Sequence, residues 1–243
     1  MKRMKCMILS LWIALVIFLF NSCINDEGYS LDDVWYSIAT IRTEEEGATP
    51  YWLTLDSGTS LWPAATNFPW YKPKDKQRAI IMYTILSDEY SGYDHAIKIL
   101  DIKNILTKPI AENLGEENDS IYGTDAVEIA EMWIGDGFLN VVFEFNYGGN
   151  EVHFINLIEN DNENTPYFYE FRHHAYNDRE RYRRKGIVAF DFSTVDTQGE
   201  EVELTIQVNT FDGTKDYIIK YHSDNNPNVQ NRNYSPDNFM EIK

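Results

Sequence analysis

Thiols are nearly missing from this chain, which holds two cysteines, Cys6 and Cys23, in 243 residues. Cys6 sits in the apolar opening run and Cys23 closes it, so the rest offers no disulfide, zinc–cysteine cluster or thiolate nucleophile. Cations are scarce too: 21 Lys+Arg stand against 39 Asp+Glu, a net charge of −18. Removing residues 1–22 takes away Lys2, Arg3 and Lys5, and 21 − 3 leaves 18 cations against 39 anions, about −21. Phosphate backbones need a cationic face, so the composition argues against nucleic acid as a partner. Catalytic signatures are also lacking. The chain has no His-Glu-x-x-His and no glycine-rich phosphate loop ending in Lys-Ser or Lys-Thr. The nearest approach to a nucleophile elbow, Gly58-Thr59-Ser60-Leu61-Trp62, lacks the second glycine and runs into Pro63. These absences lead us to expect a protein that is not an enzyme and needs neither cofactor nor metal.

What is present begins with an address. Lys2, Arg3 and Lys5 precede an apolar run over residues 7–20, and Ser22 places a small residue before Cys23. The run is shorter than the roughly 20 residues that cross a bilayer, so residues 1–22 read as a cleavable signal peptide. Cleavage before Cys23 resembles a bacterial lipobox. That resemblance implies a diacylated, palmitate-bearing Cys23 and a membrane partner reached through the lipid. Several acyl chains at about 0.8 kcal/mol per buried methylene make such anchoring effectively permanent. Residues 23–33 form an acidic linker, and Asp26 and Glu27 follow Cys23 closely. This resembles the surface-export signal of Bacteroidetes lipoproteins and implies the outer membrane, surface-exposed, with a periplasm-facing anchor as the alternative.

Beyond the linker the chain is all-β in pattern. Residues 34–41, 51–55, 60–63, 77–88 and 94–106 are rich in β-branched and aromatic residues, and their irregular joins suit an OB-like barrel over residues 34–110. Residues 109–121 are polar and interrupted by glycine, which marks a domain boundary and an expected early site of proteolysis. Seven further strands are expected at 127–134, 138–147, 151–158, 167–176, 186–192, 202–210 and 214–221, with turns such as Gly135-Asp136-Gly137 and Asp212-Gly213 between them. They read as a seven-stranded antiparallel β-sandwich over residues 120–223. Residues 224–243, rich in Asn and Pro, are expected to form a flexible tail.

This order of parts, with Asp32-Asp33-Val34-Trp35, Tyr51-Trp52-Leu53-Thr54-Leu55-Asp56 and Gln77-Arg78-Ala79-Ile80 inside it, resembles the NigD-like lipoproteins. The resemblance implies an N-terminal OB-like domain and a C-terminal β-sandwich. It also brings a role in bacteriocin immunity suggested by the position of the founding gene, and no catalytic residue to carry over.

Two clusters stand out as binding candidates. Arg179, Arg181, Arg183, Arg184 and Lys185 reverse the prevailing charge, and guanidinium forks recognise carboxylates and phosphates. Trp52, Trp62 and Trp70, with Phe68 and Tyr71, crowd one segment where rings can stack on sugars. The histidines offer less. His173 and His174 are adjacent and leave a strand by opposite faces, so only one can meet His153 across the sheet, too few ligands for zinc. The oxygen-rich stretch Glu159-Asn160-Asp161-Asn162-Glu163-Asn164 lacks EF-hand spacing and reads as a solvated loop. The expected function is therefore a non-enzymatic binding module. Its alternatives are a bacteriocin immunity protein, a glycan-binding accessory lipoprotein and a hydrolase using two distant carboxylates.

Overall fold

The computed structural model describes residues 28–47, 49–160, 165–178, 181–223, 232, 234–240 and 242–243. The signal peptide, Cys23 and residues 224–230 lie outside them. Five strands close a barrel: β1 (Trp35–Thr43), β2 (Tyr51–Leu55), β3 (Ser60–Thr66), β4 (Arg78–Tyr90) and β5 (Tyr93–Asn104), in the order β1-β2-β3-β5-β4. The β3–β5 contact is parallel and β4 returns antiparallel to β1, which is the OB arrangement. Alternation fills the interior. Tyr51, Leu53 and Leu55 of β2 are buried while Trp52 and Thr54 turn outward, and Ile41, Leu61, Ile81, Ile97 and Ile99 complete the same core.

The sandwich holds β6 (Leu106–Pro109), β7 (Glu128–Gly135), β8 (Phe138–Tyr147), β9 (Phe154–Glu159), β10 (Phe168–His174), β11 (Tyr182–Asp191), β12 (Val202–Thr210) and β13 (Gly213–Tyr221). One sheet runs β6-β11-β8-β7 and the other β13-β12-β10-β9. The all-β class and the order barrel then sandwich are as expected. The details differ in two respects. An eighth strand, β6, joins the expected seven, and both β6–β11 and β10–β12 are parallel. Residues 106–109, counted with the barrel from sequence, thus belong to the sandwich. Phe143, Phe145, Tyr169, Phe171, Phe190 and Phe192 dominate its interior.

Residues 109–121 are not a free linker. Ala111 bridges Ile158, Asn113 donates to the Glu159 carbonyl at 3.0 Å, and the short helix Asn118–Tyr122 buries Asn118 and Tyr122. Their polarity serves these local bonds. The expected flexible tail is also corrected where it is described. Phe239 and Ile242 are buried, Lys243 exchanges backbone bonds with His153 and Ile155, and Met240 N–H donates to the Lys185 carbonyl. Two large apolar side chains, each contributing about 2 kcal/mol on burial, outweigh the polar composition before them.

The two domains share a third core. Ile38, Ile80 and Ile105 of the barrel side meet Trp133, Phe138, Val142, Ile187 and Ala189 of the sandwich, with Phe239 among them. At its edge lies a buried ion pair. Arg78, fully buried, donates to Asp56 Oδ1 at 2.5 Å, to Thr40 at 2.9 Å and to Asn140 Oδ1 at 3.1 Å, while Trp133 Nε1 donates to Asp56 Oδ2 at 2.9 Å. Gly135 lies so close that a Cβ there would stand 2.3 Å from the Asp56 carboxyl carbon. Arg42 and Asp136 add an ion pair at 2.8 Å across the same seam.

Candidate functional site

Polar and aromatic side chains gather at four places. The arginine cluster opens β11, four residues earlier than the expected strand start. Arg179 lies outside the described residues. Arg181, Arg183 and Arg184 are exposed and Lys185 is half-buried. Strand alternation divides them: Arg183 and Lys185 share a face, and Arg184 takes the other. On the first face both cations sit 3.8 Å from Glu144 of β8, and the Arg183 guanidinium lies 4.1 Å over the Phe211 ring. Arg184 lies 5.2 Å over Tyr182. The patch is a strand end with partial internal neutralisation.

The tryptophans separate. Trp62 packs at 5.1 Å against Tyr93 and at 6.2 Å against Tyr90, and Trp52 reaches Tyr93 at 6.3 Å. Trp70, 71% exposed, contacts Phe68 instead, and Tyr71 bonds Asn104 and packs on Tyr51. Sequence reasoning missed Tyr90 and Tyr93, which stand about thirty positions from Trp62 and meet it because β5 lies beside β3 and Tyr90, at the end of β4, pairs with Tyr93.

His153 does meet one member of the histidine pair. Its Nδ1 lies 2.8 Å from His173 Nε2 and its Nε2 3.3 Å from Asp178, while His174 turns out and stacks at 4.0 Å on Tyr176. Burial pushes the Asp178 carboxyl up, but hydrogen bonds from Gly148, His153, Asn150 and Gly149 outweigh it and hold the pKa at about 2. Burial, then the neighbouring His153, lowers His173 to about 4. Among the described residues no three His, Cys, Asp or Glu are grouped to hold a metal, and residues 161–164 of the oxygen-rich stretch lie outside them. The arrangement joins strands β9 and β10 to the loop carrying Asp178.

The His173 value has a measurable consequence. The folded protein keeps His173 neutral where the unfolded chain, with a pKa near 6.5, takes up a proton. Stability from this group is full above about pH 6.5 and falls as pH drops toward about 4, by up to about 1.4 kcal/mol per unit. Urea unfolding across that window should show the slope in the wild type and a flatter profile in His173→Gln. Parallel profiles would assign the acid sensitivity to other groups.

A cleft of about 330 Å³ opens beside this network, lined by Asp119, Asp125, Glu170, Arg172, Gln207 and Asn209 among others. Arg172 bonds Asp119 at 2.8 Å and also Glu170, so these two carboxylates are paired with a cation. Glu170 accepts a further bond from Asn160. Such a cleft can hydrogen-bond a polar ligand. Its Asp119 and Glu170 are arranged as an ion-pair network around one guanidinium.

A small OB barrel, whose buried Arg78–Asp56 pair bonds Asn140 and Trp133 of an eight-stranded sandwich, defines a two-domain all-β protein. The NigD-like N-terminal OB domain matches residues 38–105, and the NigD-like C-terminal beta sandwich domain matches residues 109–221. The chain belongs to the NigD-like family. A crystal structure of a protein described as toxin-related, from Parabacteroides distasonis ATCC 8503, is 51% identical, covering 79% of this chain and 95% of that one with a TM-score of 0.73. A protein of unknown function from Bacteroides vulgatus ATCC 8482 shares 25% identity over 87% of this chain and 100% of that one, TM-score 0.69. A NigD-like immunity protein from Bacteroides caccae ATCC 43185 shares the fold at 18% identity, covering 80% and 99%, TM-score 0.57. No curated protein matches the chain.

Proposed function

We propose that this protein is a lipid-anchored envelope protein that acts by binding a partner and not by catalysis. The observation that carries this reading is the use made of its reactive side chains. Asp56 serves Arg78 and Trp133, Asp178 serves a ring of N–H donors, and Asp119 and Glu170 serve Arg172. Each holds the fold. Anchoring follows from Ser22-Cys23 after the apolar run, and surface display from Asp26 and Glu27. No described helix is long and apolar enough to cross a membrane. The arginine end of β11 is the proposed contact surface: Asp191, at the other end of the strand, bonds the barrel through Lys76, and Arg181, Arg183 and Arg184 lie at or before the opposite end.

A partner recovered from envelope extracts with the chain starting at Ile24 supplies the test. Replacing Arg181, Arg183 and Arg184 by Ser should slow association roughly tenfold at low salt, and raising salt should close the gap, because steering is screened within about 8 Å at physiological ionic strength. An unchanged association rate would return the segment to a charge-balanced strand end. Bacteriocin immunity is the second reading, favoured by the toxin-related relative and the immunity protein of the same fold. Under it the recovered partner is a secreted bacteriocin.

A further inference from the structure

The first described residues are pinned along the second half of β4. Tyr29 donates its hydroxyl to Asp88 at 2.6 Å and sets its ring edge-on at 6.1 Å to His95, while Thr84 donates to the Ser30 carbonyl. β4 starts at Arg78 in the domain seam and ends twelve residues later at Tyr90, a contour of about 40 Å in an extended strand. Asp88 lies two residues before that end. From Cys23 to Tyr29 the chain has six residues, which span at most about 20 Å. A lipid on Cys23 therefore keeps Tyr29, and the end of β4 that it bonds, within about 20 Å of the bilayer.

The same region carries an unusual surface for so acidic a protein. Leu31 is 67% exposed and Trp35 50%, with Val34, Leu86 and Tyr90 also exposed along β4 and the segment before β1. Tyr90 also belongs to a Trp62–Tyr90–Tyr93 cluster, extended by Trp52. Tryptophan and tyrosine favour the headgroup layer because each joins an apolar ring to a polar N–H or O–H. An open cleft lined by Asp32, Asp33, Trp35, Tyr36 and Tyr83 combines carboxylates with aromatic faces, the chemistry that receives an ammonium group.

We infer that this aromatic surface beside the chain's entry into the barrel is a membrane-contact surface that rests in the headgroup layer of ammonium-headed phospholipids. The inference rests on the proposed lipidation of Cys23. Leu31, Val34 and Trp35 enter the interface while the Asp32 and Asp33 carboxylates meet headgroup ammonium ions. Anionic headgroups are repelled by the same carboxylates.

The test uses the lipidated full chain in vesicles of phosphatidylethanolamine and phosphatidylcholine that contain brominated phosphatidylcholine. Tryptophan fluorescence should be quenched, and Trp35→Phe with Trp62→Phe should remove roughly half or more of the quenching. Trp70→Phe and Trp133→Phe should leave most of it. Phosphatidylglycerol vesicles should give weaker quenching at low salt. Equal quenching in the Trp35/Trp62 variant, or none in a palmitate-labelled protein, would overturn the inference while leaving the anchor in place. Absence of palmitate would overturn the anchor and the inference together, so the two failures are distinguishable. Fluorescence that responds to added oligosaccharides and not to brominated lipid would also overturn it, in favour of a sugar-stacking surface.

Discussion

Arg78→Ala is expected to destabilise the protein by about 3–5 kcal/mol, the range for removing one partner of a buried ion pair. The guanidinium is fully buried and bonds Asp56, Thr40 and Asn140. Its removal strands the Asp56 carboxylate in an interior where a lone charge is strongly disfavoured. The loss should be felt by both domains, because Asn140 and Trp133 belong to the sandwich and Asp56 and Thr40 to the barrel. Guanidinium denaturation followed by tryptophan fluorescence and by far-ultraviolet circular dichroism measures this. In the wild type the two probes should coincide. The double variant Asp56→Leu with Arg78→Met should be less damaged than Arg78→Ala, since it replaces both charges by apolar volume and leaves no buried charge unpaired, the lost acceptor of the Trp133 N–H being the smaller cost. A loss below about 1 kcal/mol for Arg78→Ala would mean that the pair contributes no more than a surface contact.

Cys23→Ala is expected to abolish membrane retention altogether. The thiol is the acylated atom in the lipoprotein reading, and alanine offers nothing to acylate. Lys2, Arg3, Lys5 and the apolar run are untouched, so export should persist. The described fold begins at Gly28, which leaves its packing unaffected. Palmitate labelling should fall to background, and the protein should move from the membrane to the soluble fraction after lysis. Equal label in wild type and variant would refute the anchor.

Much of the fold was legible because its strands alternate or carry runs of β-branched and aromatic residues between glycine turns. β8 was expected at the bounds it has. β6 was hidden: four residues ending in Pro109 give too short a pattern, and their pairing with β11 depends on a strand about eighty positions away. β11 was read late because Arg183, Arg184 and Lys185 are exposed and charged, as an outward strand end allows. The tail misled through averaging, since Phe239 and Ile242 were diluted by the Asn-rich residues before them.

The candidate sites were less legible. Single positions were found, but which of them meet is decided by topology. Trp52 and Trp62 converge through Tyr93 whereas Trp70 stands apart. The strings that carried the family resemblance proved to be structural. Asp56 ends one and Arg78 stands in another, and their pair bonds Trp133 and Asn140 of the sandwich.

One residue, Ile105, separates the end of β5 from the start of β6, and it is buried in the shared core. A joint that short removes hinge motion. The barrel and the sandwich should tumble as one body, so the arginine end of β11 keeps a fixed height and angle above whatever holds the barrel. For a partner confined to the same membrane, binding then becomes a search in two dimensions with the receptor already oriented. The effective concentration is set by membrane density, and no inter-domain entropy is lost on contact.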